Sequence, residues 1–283
     1  MKIRIYDKEF IHIPSYCGYD KSKYIEWVRE GDGEIEVFTE GEFGKVDISN
    51  AKIKIAWIIE PYVIHPDAYH ELMSGIHAKF DYVMSSHQDL IDVANKGVFF
   101  PAGGSWIWER DWGIYPKDKN VSIVASMKNW AVGHMLRQQV IKDLGSKFDL
   151  VCGYGRKPVE PKLAIFKDYR YSVVIENCKK NYYWTDKLID CFAAGTIPIF
   201  WGCPDIGKYF NLDGIITFDT IPELKDILSK LSEEDYNNRI EAVRDNFERA
   251  KKFMVVEDYL YETFFKQFDK ENLCGTVTPI EGQ

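Results

Sequence analysis

Residues 169–204, YRYSVVIENCKKNYYWTDKLIDCFAAGTIPIFWGCP, decide how this chain is read. Tyr171 to Ile175 is an apolar run suited to a buried strand, with Glu176 and Asn177 at its end. A polar loop follows, and Thr185, Asp186 and Lys187 start an amphipathic helix that ends near Gly195. A second apolar run, Ile197 to Trp201, reads as the next parallel strand. The result is a strand–loop–helix–strand unit with its polar groups gathered at one end. In doubly wound sheets ligands bind at the carboxyl ends of strands, where helix N-termini offer unpaired N–H groups to phosphate. A lysine in the first helical turn adds a charge aimed at the same place. The unit is built to hold an anionic, phosphorylated ligand.

The alternation extends outward in both directions. Residues 2–6, 35–38, 51–60, 80–85 and 98–100 read as strands, and 23–30, 65–79 and 88–95 have helical spacing. Residues 103–120 break the pattern with glycines, Pro116, tryptophans at 106, 108 and 112, and the charged turn Lys117-Asp118-Lys119. A strand at 121–125, a helix over 133–144, a strand at 149–152 and a glycine loop then precede the central unit. After it come a strand at 215–218, helices over 221–231 and 233–252, and a last helix over 256–268 that crosses back to the first half. The chain therefore divides into two α/β domains, 1–116 and 117–283.

Composition narrows the functional classes. A chain of 283 residues suits two domains of roughly 120–150 residues each. A net charge of −8 argues against a broad nucleic-acid footprint, which is normally basic. The cysteines at 17, 152, 178, 191, 203 and 274 form no CxxC pair, and a reduced, buried population is expected. The N-terminus, MKIRIYDKEF, is an alternating strand pattern and not a signal peptide, and no apolar run approaches the ~20 residues needed to span a bilayer. A soluble cytoplasmic protein of bacterial or viral origin is the expectation. The histidines at 65, 70, 77, 87 and 134 show no ligand spacing, so no metal site is expected, and neither a G-x-S-x-G elbow nor a Walker A sequence occurs.

The central stretch resembles the donor-binding core of the family 10 glycosyltransferases, the α-1,3/1,4-fucosyltransferases. The residues that carry the resemblance are Ile175-Glu176-Asn177, then Tyr183-Trp184-Thr185-Asp186-Lys187, then Ala194-Gly195-Thr196-Ile197-Pro198-Ile199. The spacing from Asn177 to Lys187 is similar to the family's without a gap. Asp186 departs from the pattern, because the family usually has Glu there. The resemblance implies two Rossmann-like domains facing across a cleft, the GT-B type of glycosyltransferase architecture, with an acceptor-side domain over 1–116 and a donor-binding domain over 117–283. It implies an enzyme that moves fucose from GDP-fucose to a glycan hydroxyl with inversion, with no cofactor and no obligatory metal. Two rival readings stand beside it. One is a transferase using another nucleotide sugar or a non-glycan acceptor; the other is an inactive module that binds nucleotide sugar or glycan.

Glu60 ends the strand AKIKIAWIIE before Pro61, which keeps it out of helical geometry and at the strand end. A carboxylate there can take a proton from an acceptor hydroxyl, and the family's general base is a glutamate at a corresponding strand end; the plainer reading is a solvated carboxylate. Arg137 lies in a helix after the strand that ends near Ser126, where the family's arginine contacts the diphosphate; the plainer reading is a helix-surface arginine. Lys187 sits at a helix start, where a lysine opposes the helix dipole unless an anion is near. Asp186 corresponds to a family residue that reaches ribose or sugar hydroxyls, and is alternatively a helix N-terminal acid. Tyr183 and Asn177 match donor-site residues. Glu176 either lines the site or anchors the loop. Ser126 and Gly153 are placed on the donor side of the cleft, Gly153 in a glycine loop that cradles nucleotide. Trp106 and Trp108 either stack on acceptor sugars or pack the domain interface.

Overall fold

The computed structural model describes residues 1–8, 14–93, 96–152 and 162–269. Among these, β1 (Lys2–Tyr6), β2 (Glu26–Val28), β3 (Ile35–Phe38), β4 (Ile53–Trp57), β5 (Tyr82–Ser85) and β6 (Gly97–Phe99) form a six-stranded sheet in the order β2-β1-β3-β4-β5-β6. A second, five-stranded sheet contains β7 (Lys119–Val124), β8 (Asp149–Cys152), β9 (Tyr169–Ile175), β10 (Ile197–Trp201) and β11 (Ile216–Thr217), in the order β11-β10-β9-β7-β8. Every neighbouring pair in both sheets is parallel. Parallel strands need crossovers that cover the sheet faces, which is why β9 and β10 are almost continuously apolar and buried.

The crossovers carry α1 (Pro66–Met73), α2 (Gln88–Val93), α3 (Val132–Leu144), α4 (Leu163–Phe166) and α5 (Asp186–Ala193), and after β11 come α6 (Ile221–Lys230), α7 (Glu233–Asn238), α8 (Ile240–Ala250) and α9 (Val256–Thr263). None of the described helices is long and apolar enough to cross a membrane. Cys17, Cys178, Cys191 and Cys203 are free thiols.

Two local expectations change. Residues 23–30 do not form a helix: β2 lies there as an edge strand, paired with β1 from Lys2↔Glu26 to Arg4↔Val28. Ile25 is buried with Ile3 and Val37, and the Trp27 indole donates to the Glu257 carboxyl at 3.0 Å, so tertiary contacts override the helical spacing. The single helix over 233–252 divides into α7 and α8 at Arg239, whose φ of −100° and ψ of 4° leave helical geometry. The charged turn at Lys117 is held by the second half of the chain. The Lys117 ammonium donates to the carbonyls of Ala194, Lys167 and Phe166 and to Thr196 Oγ1, and burial lowers its pKa to about 8. It ties the start of β7 to the C-terminal end of α5.

The chain returns to the first sheet at its far end. Val256, Leu260 and Tyr261 of α9, with Phe264 and Phe265 beyond it, pack in one core with Ile3, Val37, Ile55 and Trp57. Asp258 accepts from the Lys23 N–H at 2.8 Å and from Ser22 Oγ at 2.6 Å. The first sheet thus depends on a helix more than two hundred positions away in sequence (Ser22 and Asp258 are separated by 236). Leu260→Ala removes a fully buried side chain from this core. It should destabilise the fold by about 2–5 kcal/mol, read as a lower urea midpoint at unchanged slope.

Candidate active site

The site begins where β9 ends. Glu176, the residue after the strand, is fully buried, and its carboxyl oxygens accept from the Thr185 N–H at 2.8 Å and from Thr185 Oγ1 at 2.9 and 3.1 Å. Thr185 is the N-cap of α5, with an extended backbone and a side chain that accepts from the Lys187 N–H. The Lys187 ammonium lies 3.0 Å from Thr185 Oγ1 and 3.4 Å from Glu176 Oε2. The buried carboxyl therefore fixes both the start of α5 and the lysine on its first turn.

Helix α3 approaches the same strand end. The Gly133 N–H donates to the Asn177 carbonyl at 3.0 Å, and a Cβ at Gly133 would fall 1.7 Å from the Glu176 carbonyl oxygen. Only glycine permits this approach. One turn further on, Arg137 is 6% exposed, so it is not a surface arginine. Its Nε donates to the Ile175 carbonyl at 3.0 Å and its Nη2 to Asn177 Oδ1 at 2.8 Å.

These elements line a cavity of about 340 Å³ that also receives Glu60, from beyond β4 of the first sheet. Its walls carry Ser126, Arg137, Asn177, Asp186 and Lys187, together with Lys128, His134, Lys162 and Asp190. Lys162 is held between two carboxylates, at 2.8 Å from Asp186 Oδ2 and 3.4 Å from Asp190 Oδ2. Burial works against the Lys162 charge, but Asp186 and Asp190 outweigh it and hold the ammonium protonated. Burial alone would raise the Asp186 carboxyl; the Lys162 and Lys187 charges reverse this and hold it below the usual carboxylate range. Asp190 is pushed up instead, by burial and by the neighbouring Asp186, although Lys162 opposes the shift. Asp190 also accepts from Ser105 Oγ at 2.8 Å and from the Trp106 N–H at 2.9 Å, which links the second sheet to the connecting segment. Burial lowers the His134 pKa to about 4, with Arg137 adding to the effect, so the imidazole is neutral at pH 7.

Several expected site residues lie elsewhere. Glu176 is not on the cavity wall; its carboxyl anchors the loop. Tyr183 is 1% exposed and packs with Val256 and Leu260 in the first core, because its ring finds more apolar surface there than at the cavity. Trp106 and Trp108 are also off the wall. Trp108 stacks on Tyr19 at 5.2 Å between ring centroids, Trp106 meets the same ring edge-on at 5.3 Å, and Trp106 lies under the Lys162 ammonium. Gly153 falls outside the described residues. In the other direction, Lys162, Lys128, His134 and Asp190 escape a reading of sequence alone. Lys162 meets Asp186 across 24 positions, and no local pattern marks the pair. Among the described residues no group of three or more His, Cys, Asp or Glu side chains is arranged to hold a metal ion.

Two all-parallel sheets, with a cavity at the end of β9 that Glu60 reaches from beyond β4, define a GT-B glycosyltransferase fold. Residues 114–279, more than half of the chain, match the profile of Glycosyltransferase family 10 (fucosyltransferase) C-term, and the chain belongs to that family. It is 25% identical over 218 residues to "Putative fucosyltransferase R654" of Acanthamoeba polyphaga mimivirus, covering 68% of this chain and 35% of that protein. It is 38% identical over 53 residues to the alpha-(1,3)-fucosyltransferase FucT of Helicobacter pylori, covering 19% of this chain and 11% of the relative. The chain thus spans about a third or less of the length of these curated relatives. An alpha1,3-fucosyltransferase crystallised with GDP superposes with a TM-score of 0.55 at 16% identity, over 90% of each chain. The pneumococcal O-GlcNAc transferase GtfA, solved with UDP and GlcNAc, gives 0.52 at 13% identity, over 86% of this chain and 58% of that one.

Glu176→Ala tests the anchor. It leaves the Thr185 and Lys187 groups without their buried acceptor and should cost about 3–5 kcal/mol. The protein should melt at a lower temperature and no longer gain stability from a nucleoside diphosphate. Unchanged melting would show that α5 is held by packing alone.

Proposed function

We propose that the protein is an inverting fucosyltransferase that moves fucose from GDP-fucose to a glycan hydroxyl. One observation carries the reading: a single cavity joins a strand-end carboxylate, Glu60, to two helix-borne cations, Arg137 and Lys187. In this reading residues 1–116 receive the acceptor and 117–283 bind the donor. Glu60 is the general base. It takes the acceptor proton as the hydroxyl oxygen attacks the anomeric carbon, and the bond from that carbon to the diphosphate oxygen breaks on the opposite face. Arg137 offers planar paired donors to the diphosphate, and Lys187 adds a point charge. Together they neutralise the leaving group in a partly dry site, so the step requires no metal. Asn177 holds the arginine in place, and Asp186 takes ribose or sugar hydroxyls.

A second reading keeps the reaction and changes the donor sugar. It is favoured by the ion pair of Asp186 with Lys162, which engages the residue that departs from the family pattern. A thermal-shift series separates the two readings, because a ligand that binds only the native state stabilises it by mass action. GDP and GDP-fucose should raise the melting temperature more than UDP and UDP-sugars do, with or without EDTA. Equal or greater stabilisation by the uridine series would overturn the GDP-fucose assignment.

Arg137→Ala and Lys187→Ala should each weaken donor binding by about 1.5–3 kcal/mol, the worth of a charged hydrogen bond, in protein that still folds. Glu60→Gln keeps the size of the side chain but cannot accept a proton. It should lower the transfer rate by about 10²–10⁴-fold while GDP still stabilises the protein as in the wild type. Transfer by Glu60→Gln at the wild-type rate would place the base elsewhere.

A further inference from the structure

β4 ends at Trp57, yet the backbone donors beyond it are still bound. The Ile58 N–H bonds to the Met84 carbonyl at 2.9 Å, on the β5 side. On the other side β3 stops at Phe38, and the chain turns back, with the Glu42 N–H bonded to the Thr39 carbonyl at 3.0 Å. Glu40 sits in that turn. Its Oε1 accepts the N–H of Ile59 and, at 2.8 Å, the N–H of Glu60. The residue is 4% exposed, and Oε2 has no hydrogen-bond partner among the described residues. From the opposite side, Tyr69 Oη of α1 donates to the Glu60 carbonyl at 3.3 Å. The backbone of Glu60 is therefore clasped at both its N–H and its carbonyl, while its side chain reaches the cavity.

We propose that Glu40 is a positioning residue for the general base. Its carboxyl stands in for the strand that has turned away, fixes the Ile59–Glu60 peptide, and so sets the direction in which the Glu60 side chain enters the cavity. The inference rests on the reading of Glu60 as the base. Glu40 itself is not on the cavity wall and acts only through Glu60.

The titratable groups facing Glu40 are Glu60 at the end of β4, Tyr69 on α1 and Tyr16 from the segment after β1. Burial pushes the Glu40 carboxyl up to about 8; the amide hydrogen bonds oppose the shift and the Glu60 charge adds to it. At neutral pH Glu40 is uncharged, so it accepts both amides without setting a second negative charge beside the base. The linkage has a definite sign. Between an ordinary glutamate value of 4.5 and about 8 the folded protein holds a proton that the unfolded chain releases. Glu40 therefore lowers stability progressively as pH rises through that window. A neutral glutamine of the same shape has no such dependence.

Two variants test the role alongside Glu60→Gln. Glu40→Asp is one methylene too short to reach both amides. Its Ile59 and Glu60 amides should exchange hydrogen at least about tenfold faster, and kcat for transfer from GDP-fucose should fall about ten- to a hundredfold, with KM for the donor within about twofold. Glu40→Gln should restore both amide protection and kcat. Its melting temperature relative to wild type should climb from pH 5 to pH 8. The positioning role is overturned if Glu40→Asp keeps wild-type kcat while Glu60→Gln is inactive, if the loss appears in donor KM instead, or if Glu40→Gln is as impaired as Glu40→Asp. Wild-type transfer by Glu60→Gln removes the base itself, and the role of Glu40 falls with it.

Discussion

A carboxyl group with no exposure to water holds this site together. Burying Glu176 is tolerable only if its oxygens are met by donors, and the Thr185 N–H, the Thr185 hydroxyl and the Lys187 ammonium meet them. Those donors lie across a polar loop at the start of the next helix. Satisfying one residue therefore sets the position of α5 relative to β9. Helix α3 is fitted to the same strand end through Gly133, close enough to exclude any side chain there. Two helix N-termini consequently converge on one point, and each helix carries a cation of the cavity wall, Arg137 on α3 and Lys187 on α5.

The cations around the cavity are held in three different ways. Arg137 is held by neutral oxygens, those of Ile175 and Asn177. Lys187 rests against Glu176 and Thr185. Lys162 is divided between Asp186 and Asp190, and the contrast in proton affinity between those two acids follows from their different neighbours.

Much of this could be read from the sequence. β9 and β10 declared themselves as apolar runs because parallel strands covered on both faces have no polar side to show. Glu60 and Lys187 were marked by their places at a strand end before Pro61 and at a helix start, and Arg137, Asn177 and Asp186 by the resemblance of their motifs. Other features depended on partners far along the chain. β2 is three residues long and exists because β1 supplies its hydrogen bonds and Glu257 its indole partner. Tyr183 sits in the motif but is drawn into a core completed by α9. Lys162 became visible only once folding set it beside Asp186, and Glu40 only once the turn after β3 had been placed.

The return of α9 to the first sheet fixes an order of events during synthesis. Ribosomes release the strands of that sheet first, but Ile3, Val37, Ile55 and Trp57 share their core with Val256, Leu260 and Phe265. Until those late residues emerge, the nascent sheet lacks one of its apolar covers. Closing so long a loop is entropically modest in free energy but late in time. The first half therefore keeps part of its apolar surface uncovered through translation of the second.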